Sequence, residues 1–264
     1  MKGLKIVSLY SGSTGNATLV ISKNSSILID AGKSARSLCA AIKSAGWDVD
    51  KIDAIFITHE HTDHVSALEV LAKKHKIPVH MTDGSARRAR IIPGSPLALS
   101  TVVHSPRFSV ELDGMSVHSF CTSHDSAMSV GYRVDISDGE ENFSFGLATD
   151  TGFVTDDMKS SLEGCSAVLL ESNHDEDMLR FGPYPAELKR RIFSKTGHLS
   201  NRDCASFAAE LAKKGTKSFT LGHLSEENNT PGEALKAVGS ALSEFENVSL
   251  ITACPDRETV IVQC

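Results

Sequence analysis

No stretch of this 264-residue chain is apolar over the roughly 18–20 residues that a membrane-spanning helix requires, so helical passage through a bilayer is not expected. The opening run from Met1 to Val7 is interrupted too soon, by Ser8, Tyr10 and Ser11, to form the apolar core of a secretory leader. It reads as a first strand, and the expected location is the cytosol. CxxC spacing is missing as well. Cys39, Cys121, Cys165, Cys204, Cys254 and Cys264 are scattered, which argues against a cysteine-zinc site and against a disulfide frame. Positive charge is in short supply: 27 Lys and Arg against 33 Asp and Glu give a net charge of −6. That excludes a basic coat, and any polyanion must be met by a local patch. Repeats, low-complexity tracts and long Pro/Gly/Ser linkers are absent too, and one domain over residues 1–264 is expected.

What is present is an alternation of short β-branched runs and amphipathic stretches. Strands are expected at Leu4–Leu9, Thr18–Ser22, Ile27–Asp30, Ala54–Thr58, Met115–Cys121, Val130–Val134, Phe143–Thr149, Ala167–Glu171, Ser218–Leu221 and Thr259–Val262. Helices are expected near 34–45, 63–75, 185–195, 201–214 and 231–245. The 201–214 helix carries its own punctuation: Ser200 and Asp203 form a capping box, Phe207, Ala208 and Leu211 an apolar stripe, and Gly215 a stop. Early strands are joined by turns such as Ser11–Asn16, which favours antiparallel pairing there, whereas later strands are separated by helices. The implied class is α/β, with two packed mixed sheets and helices on both outer faces.

Eleven histidines are the informative excess. The run Ile55-Phe56-Ile57-Thr58-His59-Glu60-His61-Thr62-Asp63-His64 is an apolar strand ending in three histidines and an aspartate. His59 and His61, two apart in extended chain, point to the same side. Asp63 and His64, on the first turn of the following helix, can face the same point. Imidazole and carboxylate donors gathered in this way suit zinc, manganese or iron.

His59-x-His61-x-Asp63-His64 after an apolar strand resembles the signature of the metallo-β-lactamase superfamily. Four further motifs follow the same resemblance: Asp30 ending Ser26–Asp30, His124 after a strand, Asp150 in Leu147–Gly152, and His223 after Phe219–Gly222. The resemblance implies an αβ/βα four-layer sandwich and two divalent metal ions. One would be held by His59, His61 and His124 and the other by Asp63, His64 and His223, with Asp150 bridging and Asp30 orienting ligands from behind. Of the paired tetrapeptides Gly197–Ser200 and Gly222–Ser225, the second follows a strand and supplies the ligand His223. The first opens a capped helix. His198 there is either a substrate-side residue partnered by Glu171 or a plain helix-cap residue. His75, His80, His104 and His118 are expected to pack or to lie on the surface.

Ser11–Asn16, Glu171–Asp175, Gly197–Asn201 and Leu224–Pro231 together resemble the YycJ-like (WalJ) branch of that superfamily over nearly the whole chain. The resemblance implies a metal-dependent hydrolase with 5′-to-3′ exonuclease activity on DNA and a link to DNA repair. A hydroxide between two cations is the implied nucleophile, since metal binding lowers the pKa of water from about 15.7 toward roughly 7. Asp63 would orient it, and His198, tuned by Glu171, would protonate the departing oxygen. Substrate-side candidates are Ser13 and Asn16 of the small-residue loop, which is either a phosphate cradle or a hairpin turn, together with His174 and Ser200. The basic runs Lys73–Lys76, Arg87–Arg90 and Lys189–Arg191 are either phosphate contacts or solvated faces. Asp150 and His223 lie too close in sequence for the inserted RNA-clamping domain of the RNase J branch. Two other readings stay open: a small-molecule hydrolase for thioesters, lactones or cyclic phosphodiesters, and a non-catalytic interaction module.

Overall fold

The computed structural model describes residues 3–264. Its first sheet is built from β1 (Lys5–Tyr10), β2 (Ala17–Ile21), β3 (Ser26–Ile29), β4 (Ala54–Phe56), β5 (Val79–Thr82) and β6 (Thr101–His104). The second takes β7 (Ser109–Leu112), β8 (Met115–Cys121), β9 (Val130–Ser137), β10 (Asn142–Ala148), β11 (Ala167–Glu171), β12 (Ser218–Gly222) and β13 (Ser249–Thr252). The last strand, β14 (Thr259–Gln263), returns to the first sheet, giving orders β14-β1-β2-β3-β4-β5-β6 and β13-β12-β11-β10-β9-β8-β7. The helices are α1 (Ala35–Ser44), α2 (Thr62–Val65), α3 (Leu68–His75), α4 (Asp83–Arg88), α5 (Pro96–Ser100), α6 (Asp156–Leu162), α7 (Glu176–Phe181), α8 (Ala186–Ile192), α9 (Asn201–Lys213) and α10 (Pro231–Leu242).

Strand alternation sorts the apolar side chains into three layers of packing. Ile6, Ile27, Ile29 and Phe56 meet Val117, Tyr132, Val134, Phe145 and Leu169 between the sheets. Val7, Leu28 and Ile55 turn outward onto Leu38, Ile42, Leu68 and Leu71 of α1 and α3. On the other outer face, Val168, Leu170, Phe219 and Leu221 pack under Phe207, Leu211 and Val238 of α9 and α10. Helix, sheet, sheet, helix is the four-layer sandwich that the resemblance implied. The hairpin turn at 11–16 joins β1 to an antiparallel β2, as its small residues suggested.

Two expectations need correction. The helix expected over 63–75 is broken into α2 and α3. The backbone of Ala31 takes the bonds a continuous helix would use: its N–H donates to the His64 carbonyl and its carbonyl accepts from Ala67 N–H. Strands β5, β6, β7 and β13, each of four residues, were not anticipated; their pairing partners are remote in sequence, and short runs carry little periodicity of their own.

β3 runs parallel to β4, and β10, β11 and β12 run parallel to one another. β8 runs in the same sense as β10, because both are antiparallel to β9. The chain therefore leaves these six strands at one common edge. Every motif read from the sequence lies just past a strand there or in the loop leading into α9.

Candidate metal centre

Asp30 follows β3, His59 to His64 follow β4, His124 follows β8, Asp150 follows β10, Glu171 closes β11 and His223 follows β12. Asp30, Asp150 and His223 leave their strands in the left-handed region, at φ of 62°, 57° and 54°. Aspartate and histidine are among the few non-glycine types found there, and the strain turns each side chain back across the strand ends. Gly32 lets the segment carrying Asp63 pack against the end of β3: a Cβ on it would collide with the Asp63 carbonyl oxygen.

The donors converge in overlapping groups. His59, His61 and His124 form one set, Asp63, His64 and His223 a second, and Asp150 joins His59 and His64 in a third, with the donor atoms of each group within 4.8 Å of one another. Asp150 sits at the centre. Its Oδ1 lies 3.5 Å from His223 Nε2 and 3.8 Å from His124 Nε2, and its Oδ2 lies 3.5 Å from His64 Nε2. No cysteine belongs to any such group among the described residues.

Four imidazoles are oriented in the same way. His64 Nδ1 is 2.8 Å from Asp30 Oδ2, His223 Nδ1 is 2.9 Å from Glu171 Oε1, His124 Nδ1 is 3.1 Å from the Gly197 carbonyl, and His59 Nδ1 is 3.1 Å from Thr58 Oγ1. Each contact leaves Nε2 for the interior of the cluster. There, His59 Nε2, His223 Nε2 and Asp150 Oδ2 are buried with no hydrogen-bond partner among the described residues. Buried polar atoms without partners are costly and rare. A ring of such atoms, all imidazole nitrogen or carboxylate oxygen, fits divalent cations.

The charges agree with that fit. Burial works against a cationic His64, but Asp30 and Asp150 outweigh it and hold the ring well above the usual imidazole range. Burial likewise opposes protonation of His223, and Asp150 and Glu171 reverse it, lifting the ring to about 9. Asp63 would be raised by burial; the hydrogen bond and charge of His64 overcome that and bring it to about 2. In the metal-free protein both raised rings are therefore protonated at neutral pH, and a cation must displace those protons. Metal affinity is expected to strengthen as pH rises toward about 9 and to weaken in acid. Titration calorimetry in buffers of different ionisation heat at pH 7 should report release of roughly two protons as the site fills. No net release would mean that His64 and His223 do not ligate.

Asp30 shows how much support the cluster needs. Its Oδ1 accepts from Thr58 N–H at 2.9 Å, and its Oδ2 accepts from Thr58 Oγ1 at 2.9 Å besides facing His64. Asp30→Ala strands these buried donors together, an expected loss of about 3–5 kcal/mol in stability by analogy with breaking a buried pair. A chemical-denaturation midpoint unchanged from wild type would contradict this role.

Glu171 is fully buried and does more than pair with His198. Oε1 faces both His198 Nδ1, at 2.8 Å, and His223 Nδ1, at 2.9 Å. Oε2 accepts from the backbone of Thr151 at 2.9 Å and of Leu199 at 3.2 Å. Burial would raise this carboxyl; His198 and His223 drive it far below the usual carboxylate range. Asn16 faces inward, with Nδ2 at 3.1 Å from His64 Nε2 and 3.4 Å from Asp63 Oδ2, and closes its own loop through two bonds to Gly12. Ser13 is exposed at the tip of that loop. Ser200 Oγ caps α9 by accepting from Asp203 N–H and donating to its carboxylate. His174 is buried edge-on to Phe193 at 5.3 Å between ring centres, with Nδ1 unpartnered among the described residues.

The remaining histidines lie elsewhere. His80 and His104 stack in a row between Phe56 and Phe108, His75 pairs with Asp50, and His118 contacts Ser109 and Asp135. Sequence reasoning passed over Thr58, Ser11, whose Oγ accepts from His223 N–H at 2.9 Å, and Asp125, whose Oδ1 is 3.3 Å from His124 Nε2. Thr58 and Asp125 each adjoin a motif histidine, and that adjacency was the only signal available.

Two mixed sheets with these candidate donors at their strand ends form a metallo-β-lactamase-type fold, and residues 25–223 match the β-lactamase superfamily domain. A Bacillus anthracis protein named exodeoxyribonuclease YycJ is 36% identical over 242 residues, covering 92% of this chain and 90% of the relative. Exodeoxyribonuclease WalJ of Streptococcus pneumoniae is 35% identical over 233 residues, covering 86% and 84%. The crystal structure of the metallo-β-lactamase fold protein YhfI from Bacillus subtilis superposes with a TM-score of 0.70 at 17% identity, over 98% of this chain and all of that one, and shares the fold. The chain belongs to the β-lactamase superfamily and, within it, to the YycJ-like group. Among the described residues no helix is long and apolar enough to cross a membrane.

Proposed function

We propose that this protein is a two-metal phosphodiesterase that shortens DNA from an end in the 5′-to-3′ direction. The observation that carries the reading is the inward ring of unpartnered His59, His223 and Asp150 atoms, the two imidazoles braced from behind by Thr58 and Glu171. The names of the relatives at 35–36% identity supply the substrate class. In this reading His59, His61 and His124 would hold one cation and Asp63, His64 and His223 the other, with Asp150 within reach of both sets, and the donors suit zinc, manganese or iron. Such cations supply Lewis acidity, lowering the pKa of water and offsetting charge on a phosphate oxygen.

The chain's own groups do the rest. Asp63, ionised at any ordinary pH, orients the attacking water by accepting its hydrogen bond. Glu171 engages Nδ1 of His198, so Nε2 is the atom left to deliver a proton to the departing oxygen. Asn16 steadies Asp63 by donating to its Oδ2 at 3.4 Å. Purified protein incubated with 5′- and 3′-labelled DNA and RNA, with each metal restored in turn, tests the assignment. The expected outcome is metal-dependent shortening from the 5′ end of DNA, absent in His61→Ala. Hydrolysis of thioesters or lactones with DNA left intact would replace this reading by the small-molecule one.

A further inference from the structure

Of the three basic runs, Lys189–Arg191 reaches the candidate centre, and within it the three side chains are put to different uses. Lys189 Nζ donates to the carbonyls of Arg180 and Gly182 at 2.9 and 2.7 Å. Arg190 Nε turns back on its own helix toward the Ala186 carbonyl. Arg191 instead extends from α8 to the metal centre, where its Nε donates to Asp125 Oδ2. Asp125 Oδ1 in turn lies 3.3 Å from His124 Nε2 and 4.0 Å from His61 Nε2.

The backbone of Arg191 is fixed to the same place. Gly197 packs so closely that a Cβ on it would lie 2.3 Å from the Arg191 carbonyl oxygen, and the carbonyl of Gly197 itself faces His124 Nδ1 at 3.1 Å. Arg191 is thus anchored twice, through its main chain and through Nε. Its two terminal amino groups have no protein partner among the described residues, and the side chain is 53% exposed. An ion pair as open as this one adds little to stability. A guanidinium already held in position, with its donors facing solvent beside a ring of cation ligands, is the arrangement that binds a phosphate through two parallel N–H donors.

We infer that Arg191, steered by Asp125, binds a phosphate of the nucleic-acid strand adjoining the one being cleaved. This rests on the phosphodiesterase reading above. The net charge of −6 gives a polyanion little general attraction to this chain, so a single fixed arginine at the site should weigh heavily in substrate affinity.

The test compares wild type, Arg191→Ala, Arg191→Lys and Asp125→Asn, each fully metal-loaded, on labelled DNA at several salt concentrations. Arg191→Ala is expected to raise KM for DNA about tenfold, with kcat changed by less than about threefold. Its dependence of log KM on log salt should flatten by about one phosphate contact. Arg191→Lys should restore the salt slope and only part of the affinity, and Asp125→Asn should also raise KM. An unchanged KM and salt slope in Arg191→Ala, with wild type active on DNA, overturns the inference and leaves the nuclease reading intact. So does an Arg191→Ala protein whose loss lies in metal content and kcat, since that is what support of His61 and His124 alone would produce. A wild-type protein inactive on DNA under every metal overturns the nuclease reading first.

Discussion

Asp150→Asn is expected to lower DNA cleavage by on the order of 10⁴-fold, about 5.4 kcal/mol of transition-state stabilisation, and to lose much of its bound metal. Asn is the sharpest substitution available. It keeps the volume of the side chain, and it is among the types that tolerate the left-handed backbone at φ 57°. What it removes is the charge at the middle of the cluster, where Asp150 is flanked by His64, His124 and His223 at 3.5–3.8 Å. Its own carboxyl, which burial would raise, is kept low by His223 and His64, so it is an anion before any cation arrives. Replacing it should also let the His223 ring fall from about 9, because Asp150 is the largest of the groups that lift it. Metal analysis, a thermal melt and a timed DNA digest on the same preparation separate these effects. A folded Asp150→Asn protein with wild-type cleavage would show that the cluster is not the reaction centre.

His198→Ala is expected to reduce kcat by about 10²–10⁴-fold while leaving the metal in place. The two halves of that statement come from different contacts. His198 stands beside the cluster with its Nδ1 on Glu171, 3.8 Å from Asp150 Oδ1; it groups with Asp150, Glu171 and His223 but is in neither triad that the resemblance assigns to the cations. Removing a proton donor leaves the cations and the nucleophile's position intact, so the loss should fall on the chemical step. Glu171→Gln should behave differently, because Oε1 faces His223 as well as His198 and both ring orientations depend on it. There both metal retention and kcat should decline. His198→Ala activity within about threefold of wild type would leave proton delivery to another group.

The sequence expectations failed where a residue's role depends on something far along the chain. Nothing in the run after His59 says that Ala31 will intercept the carbonyl of His64 and cut the helix in two. Likewise β5 and β6 are short apolar runs whose strand character comes from pairing with each other and with β4. Asn16, in the loop whose backbone amides were read as a phosphate cradle or a hairpin turn, directs its side chain to Gly12, Asp63 and His64, and Ser200 directs its hydroxyl to Asp203 in the cap of α9; neither contact decides a substrate role.

The amino-acid order by itself showed the cluster His59 to His64, and its resemblance to the metallo-β-lactamase signature implied that His124, Asp150 and His223 join it. Strands ending in His59, His124, Asp150, Glu171 and His223 were legible because apolar alternation marks each strand, and the residue after it must sit at the sheet's edge. It also determined the capped start of α9 and the chemistry of the donors. Only the tertiary structure decided how the donors are aimed: that one oxygen of Glu171 serves two histidines, that four rings turn Nε2 inward, and that Arg191 alone of its run reaches the centre. The physical reason is that strand identity is written in neighbouring residues. Ring orientation, by contrast, is set for three of the four rings by hydrogen bonds between groups 34, 52 and 73 positions apart, which no local pattern records; His59, held by its neighbour Thr58, is the exception.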